Sequence, residues 1–373
     1  MEGGVHLNLL EYRGKEIFAR YGLRVPKGKV VTSPEELEGA PFPAVLKVQI
    51  GTGGRGKAGG VKFANSLEEA KPLIPQLMAL TIKGYKVRKV LVAEKLEIAQ
   101  EVYVGIVLDR LNRCPVILAT AMGGMEVEDV PPDKMFKAPI DPLVGLRPYH
   151  LREMSAFLAF PKDIAVQIEG IVETLWKIYR ELDCTLIEVN PTAITPKGEV
   201  YCADAKVVID NDALFRHAEF THEPEDIPPL EAKAKEEGIA FVQLDGDIGV
   251  IANGAGLTMA TLDMLSRFGG RPAIFLDLGG TDDPEKVKAC FRLMDEAKPS
   301  KIFLNIFGGI TKCDTVAQGV TKVIEEENIK IPLVARIKGR NEDAAREILA
   351  KAGIEAETSF EKAAEKVVAL KGV

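Results

Sequence analysis

Residues 44–64 read AVLKVQIGTGGRGKAGGVKFA. An apolar run, AVLKVQI, leads into a glycine-crowded loop from Gly51 to Gly60, and VKFANS then starts a second strand before a helix beginning near Ser66. Gly51 to Ala58 satisfies G-x-x-x-x-G-K, but Ala58 stands where a P-loop needs Ser or Thr to hold magnesium. A P-loop also runs from strand into helix, whereas this loop runs from strand into strand. No helix dipole is then available, and the glycine amides must do any phosphate binding. Two readings fit: a glycine-rich hairpin lid over a triphosphate, with Lys47 on the preceding strand neutralising a phosphate, or a mobile loop with a solvated lysine and arginine.

Upstream, LLEYRGKEIFARYG places Leu10, Ile17, Phe18 and Tyr21 near helical spacing and ends at Gly22, so it reads as a short amphipathic helix. KGKVVTSPEELEG reads as a strand, a Ser33 cap with Pro34 at the first helical position, and a short helix. Downstream from Lys89, VLVAEKL, EVYVGIVLDR and CPVILAT read as consecutive strands of an antiparallel sheet. Lys162 to Leu182 carries Ile164, Ile168, Ile171, Leu175, Ile178 and Leu182 at spacings of three and four, a helix packed on a core.

The hairpin that follows carries the second chemical signal. Glu188 and Asn190 are two residues apart and share one face of a strand. A three-residue turn at Pro196-Lys197-Gly198 then sets Asn190 opposite Asp204 on the returning strand. Three converging oxygens suit magnesium, which keeps waters and completes its octahedron from nucleotide phosphates. The alternative is the polar outer face of an exposed hairpin.

Composition excludes several classes. The 373 residues are 46 % hydrophobic and 28 % charged, which predicts a folded chain of two or three domains. A net charge of −7 offers no broad attraction for nucleic acid or an anionic membrane. Five scattered cysteines without C-x-x-C spacing argue against a disulfide framework or structural zinc, and no apolar run reaches the roughly 18 residues of a membrane span. The N-terminus has no signal-peptide pattern, so a cytoplasmic protein is expected.

Between about Asp212 and Gly238 the chain turns polar, with Glu223-Pro224-Glu225-Asp226 and Pro228-Pro229, which marks a boundary. The expected division is 1–225, a linker 226–240, and 241–373. The last part alternates strand and helix five times, from IGVIA onward, which predicts a doubly wound parallel sheet. Glycine clusters follow its strands at Asn253-Gly254-Ala255-Gly256, Gly279-Gly280 and Gly308-Gly309-Ile310-Thr311, where such sheets bind ligands. Tight βα turns without a ligand would look the same. His6, His150, His217 and His222 lie beside no glycine cluster, and no G-x-S-x-G or H-E-x-x-H pattern occurs, so no covalent nucleophile is evident.

Taken together, LLEYRGKEIFARYGLRVPKG, GGRGKAGGVK, LIEVNP, NDALFR, NGAGL and NIFGGITKCD resemble the signatures of the ADP-forming succinyl-CoA synthetase β-subunit family along nearly the whole chain. The resemblance implies an N-terminal ATP-grasp domain and a C-terminal flavodoxin-like, doubly wound CoA-ligase domain, α+β followed by α/β. It implies the reaction of succinate, CoA and ATP to succinyl-CoA, ADP and phosphate in the citric acid cycle, through a phosphohistidine on a partner α subunit. The assembly would be a heterodimer or heterotetramer. On the same ground Lys47, Gly54, Arg55 and Gly56 would contact the nucleotide phosphates, and Glu94 and Glu101 the rest of the nucleotide. Asn190 and Asp204 would hold Mg2+, and Glu188 would orient the partner's histidine. Asn253, Gly309, Ile310 and Thr311 would lie at the substrate site, with a helix opening after Gly309. Similar chains use malate or citrate, and an autonomous ATP-grasp carboxylate–amine ligase or a nucleotide-sensing module are the other readings.

Overall fold

The computed structural model describes residues 7–52, 54–82, 84–220, 228–281 and 283–372. His6, Gly53, His222 and the Glu223–Asp226 stretch lie outside the described residues. The chain divides into two compact units, 1–227 and 228–373.

The first unit holds a small and a large antiparallel sheet. The small sheet is ordered Gly28–Val31, Val90–Glu94, Ala44–Val48, Val61–Ala64. Its alternation is legible in AVLKV: Ala44, Leu46 and Val48 are buried, whereas Val45 and Lys47 point to the other face. The pairing of Ala44–Val48 with Val61–Ala64 bears out the strand–loop–strand reading. The expected helix at Pro34 is a single 3-10 turn, Pro34–Leu37, and that near Ser66 is two short helices, Leu67–Ala70 and Leu73–Met78. Against the expectation of one sheet, Val90–Glu94 does not pair with the two strands after it. It pairs with Ala44–Val48, while Gln100–Asp109 and Cys114–Thr120 belong to the large sheet. The chain therefore crosses between the sheets at 95–99.

The large sheet runs Leu7–Asn8, Lys206–Ile209, Cys184–Ile194, Gln100–Asp109, Cys114–Thr120, Phe136–Pro139, with Val200–Cys202 also on Cys184–Ile194. The helix Lys162–Glu181 packs on it through the anticipated stripe, with Val172 and Tyr179 added. The first helix, Glu11–Arg20, sets Ile17 and Phe18 into the same core.

In the second unit the strands Pro272–Asp277, Ile248–Ala252, Lys301–Gly308, Leu333–Gly339 and Ala356–Glu357 are parallel in that spatial order. In chain order this is 2-1-3-4-5, the flavodoxin-like arrangement. The expected linker 226–240 is largely not a linker: Pro229–Glu236 is a helix with Ala234 buried in this unit's core. It leads into Ala240–Gln243, which adds an antiparallel strand to the edge of the sheet. Pro228-Pro229 opens that helix, since proline suits a first helical turn as well as a loop. Among the described residues no helix is long and apolar enough to cross a membrane.

Candidate functional site

A cavity of about 560 Å3 in the first unit gathers most of the expected residues: Lys47, Gly54, Arg55, Gly56, Glu188, Asn190 and Asp204 all line it. The hairpin register is as anticipated. Ile194 pairs with Val200 and Thr192 with Cys202, and beyond the gap Glu188 pairs with Lys206, so Asn190 falls opposite Asp204. The turn closes through Gly198, at φ +76°. Against the neighbouring strand the register slips between Val189 and Thr192, a bulge that interrupts the ladder at Asn190-Pro191. Such irregularities re-aim side chains beside active sites.

The centre of the cavity is a charge cluster that includes a residue not singled out from the sequence. Glu11, 3 % exposed, lies at the start of the first helix. Its Oε1 meets Lys15 Nζ at 2.7 Å and Lys47 Nζ at 2.8 Å, and its Oε2 meets Arg55 at 2.9 Å. Arg55 also reaches Asp204 Oδ2 at 3.3 Å, and Lys47 lies 3.9 Å from the same oxygen. Burial alone would raise the Glu11 carboxyl, but Lys15, Lys47 and Arg55 outweigh it and hold it well below the usual carboxylate range. Burial pulls the Lys47 ammonium down, yet Asp204 and Glu11 leave it raised, so it stays charged. Both expected phosphate-binding cations are thus ordered on carboxylates. The sequence signal was Glu11 four residues before Lys15 on an amphipathic helix, which identifies an ion pair and not its place in the cavity.

Asn190 faces the same cavity, with its amide spanning a loop: Oδ1 accepts from the Gly124 N–H at 2.8 Å and Nδ2 donates to the Met125 carbonyl at 2.8 Å. Asp204 Oδ1 accepts from the Ala205 N–H at 2.8 Å. Among the described residues no cluster of three His, Cys, Asp or Glu side chains could hold a metal. One carboxylate and one amide oxygen beside Lys47 and Arg55 fit Mg2+, which takes one or two carboxylates and completes its shell with phosphate and water rather than an all-protein cage. Lone pairs remain on both oxygens for this.

Glu188 accepts a hydrogen bond from the Tyr103 hydroxyl at 2.9 Å and lies 3.4 Å from Lys206. Burial, then the Glu188 carboxylate, pushes the Tyr103 phenol well above its usual range, so it remains a donor. Glu94 and Glu101 do not line the cavity. Glu94 is exposed at the end of its strand, and Glu101 stands against the Gly123-Gly124 turn, where its carbonyl accepts the Gly123 N–H at 3.1 Å. Gly124, at φ +76°, leaves the space its carboxylate fills: a Cβ there would clash with it.

In the second unit the expected residues lie at the carboxyl ends of the parallel strands, beside the switch point between Ile248–Ala252 and Lys301–Gly308. Asn253 bridges that point. Its Nδ2 donates to the Phe307 carbonyl at 2.9 Å and its Oδ1 accepts the Phe307 N–H at 2.8 Å. Thr311 is 1 % exposed, and its hydroxyl accepts the Thr281 N–H at 3.0 Å, so its side chain ties loops together. Ile310 is 83 % exposed. The expected helix after Gly309 begins later, at Cys313, whose N–H donates to the Arg340 carbonyl. Gly309 therefore sits on a loop and not on a helix N-terminus.

An ATP-grasp family model matches residues 8–194 and a CoA-ligase model residues 251–370. Fold, cavity and these matches define a two-part ATP-grasp and CoA-ligase chain. It is 43 % identical to the succinate–CoA ligase [ADP-forming] subunit beta of Pyrobaculum calidifontis over 98 % of this chain and 99 % of the relative. The Ignicoccus hospitalis protein of the same name is also 43 % identical with the same coverage. The chain belongs to the family of ADP-forming succinate–CoA ligase β subunits. Among solved structures, ATP citrate lyase from Methanothrix soehngenii shares the fold at TM-score 0.59 and 20 % identity, covering 96 % of this chain and 98 % of that one.

Proposed function

We infer that this chain is the nucleotide-binding β subunit of an acid–CoA ligase that converts succinate, CoA and ATP to succinyl-CoA, ADP and phosphate. The observation that carries the reading is that one cavity holds Lys47, Arg55, the loop glycines Gly54 and Gly56, and Glu188, Asn190 and Asp204, in a chain of this family. The triphosphate lies between Lys47 and the amides of Gly54 and Gly56, where Lys47 and Arg55 counter its charge. Asn190 and Asp204 would hold Mg2+, which neutralises phosphate charge when bound. Arg55 then exchanges Asp204 for phosphate. Glu94 and Glu101 flank the crossing between the sheets, on the base and ribose side.

The γ-phosphoryl goes to a histidine of the partner α subunit, oriented by Glu188, and from there to the acid, whose acyl phosphate CoA thiolate attacks with release of phosphate. Asn253, Gly309, Ile310 and Thr311 form this chain's share of that second site, through exposed backbone at 309–310. Supplied with its α subunit and γ-labelled ATP, the complex should place acid-labile label on α and discharge it with succinate plus CoA. ATP hydrolysis by this chain alone, with α unlabelled, would favour an autonomous ligase.

Asp204→Asn weakens Mg2+-dependent nucleotide binding at least about tenfold, ~1.4 kcal/mol, while leaving the fold in place. Titration calorimetry with and without Mg2+ checks this, and an unchanged affinity removes Asp204 from the metal site.

A further inference from the structure

We propose that Tyr103, accommodated by Gly105, is a positioning residue that fixes Glu188 for phosphoryl transfer. The inference rests on the role given to Glu188 above. Tyr103 and Gly105 lie two residues apart on the strand Gln100–Asp109, and Gly105 pairs in register with Glu188 on the next strand. Tyr103 is therefore the diagonal neighbour of Glu188 on one face of the sheet, within reach of a long side chain. Its hydroxyl donates to Glu188 Oε2 at 2.9 Å, and the residue is 3 % exposed.

Gly105 makes that contact possible. A Cβ at 105 would stand 2.8 Å from the Tyr103 hydroxyl and 2.9 Å from the Glu188 Cβ, closer than packed atoms come. Its backbone is ordinary extended strand, so the space, and not an unusual φ, accounts for glycine here.

The two carboxylate oxygens of Glu188 are held unequally. Lys206, at 3.4 Å from Oε1, has a half-exposed side chain. A solvated lysine on a flexible stem fixes an orientation poorly. Tyr103 is the rigid partner: its ring is packed with Val130 and Met135 beneath the loop that also holds Asn190 through Gly124 and Met125. The terminal torsion of a glutamate is broad, so a buried donor on one oxygen sets the plane in which the other faces the cavity. A misplaced carboxylate costs rate and not nucleotide affinity.

The test uses the complex with its α subunit and single-turnover transfer from γ-labelled ATP. Tyr103→Phe keeps the ring and removes only the hydroxyl. It should slow transfer about tenfold with the ATP KM unchanged, and add nothing further in a Glu188→Gln background. Gly105→Ala should reproduce the loss with the hydroxyl present. Wild-type transfer by Tyr103→Phe overturns the proposal, as does a loss that adds fully to that of Glu188→Gln, the mark of a merely structural role. Wild-type transfer by Glu188→Gln itself overturns the role of Glu188, and the inference with it.

Discussion

Glu11→Ala destabilises the first unit by about 3 to 5 kcal/mol, the cost of breaking a buried ion pair from one side. For a unit of this size that lowers Tm by about 10 °C. Glu11 is the anion on which Lys15, Lys47 and Arg55 all converge within 2.9 Å. Lys15 is 6 % exposed and has Glu11 as its nearest carboxylate, so the truncation strands a buried ammonium. Lys15→Met in the same chain should return part of the loss. Glu11→Gln adds a pH signature. A carboxyl held low in the folded state contributes stability that is complete above its unfolded value, about 4.3, and is lost as pH falls through the folded value. The gap between wild type and Glu11→Gln should therefore hold from neutral pH to about 4.3 and narrow only below it. Calorimetry over that range decides: a Tm within a degree or two of wild type at pH 7 would mean that water already screens the cluster.

Glu188→Gln slows phosphoryl transfer to the α subunit about 10²-fold, the cost of misplacing a reacting group, and leaves ATP affinity within about twofold. The two effects separate because Glu188 is paired with Tyr103 and Lys206, whereas Lys47 and Arg55, the cations proposed for the phosphates, are paired with Glu11 and Asp204. Glutamine is nearly isosteric and still accepts from Tyr103. Rapid-quench labelling of α at saturating ATP measures the first quantity and calorimetry the second. Loss of affinity with normal transfer would reassign Glu188 to nucleotide binding.

Local patterns are legible in the sequence where the physics is local. AVLKV against VKFA, the stripe of Lys162–Glu181 and the three-residue turn that sets Asn190 opposite Asp204 each follow from a period or a turn preference. Pairing between distant segments is not legible there, for an equally physical reason. VLVAE reads like its neighbours as a strand, and nothing in its composition says that its partner is Ala44–Val48, some forty residues earlier, and not the strand that follows. Pro229–Glu236 reads as a linker because its polar face dominates, and only Ala234 is fully buried in the core, with Leu230 packed against it.

The sequence by itself determined the two-part architecture, the strand–loop–strand unit and the hairpin that line the cavity, and the family. Those rest on periodicity, turn chemistry and long ordered motifs, which need no knowledge of distant contacts. Only the tertiary structure decided that Glu11 sits beneath Lys47 and Arg55, that Tyr103 holds Glu188, and that Thr311 is buried while Ile310 is not. Contacts such as Arg55 with Asp204, 149 positions apart, arise when sheets fold over one another, and no local preference records them.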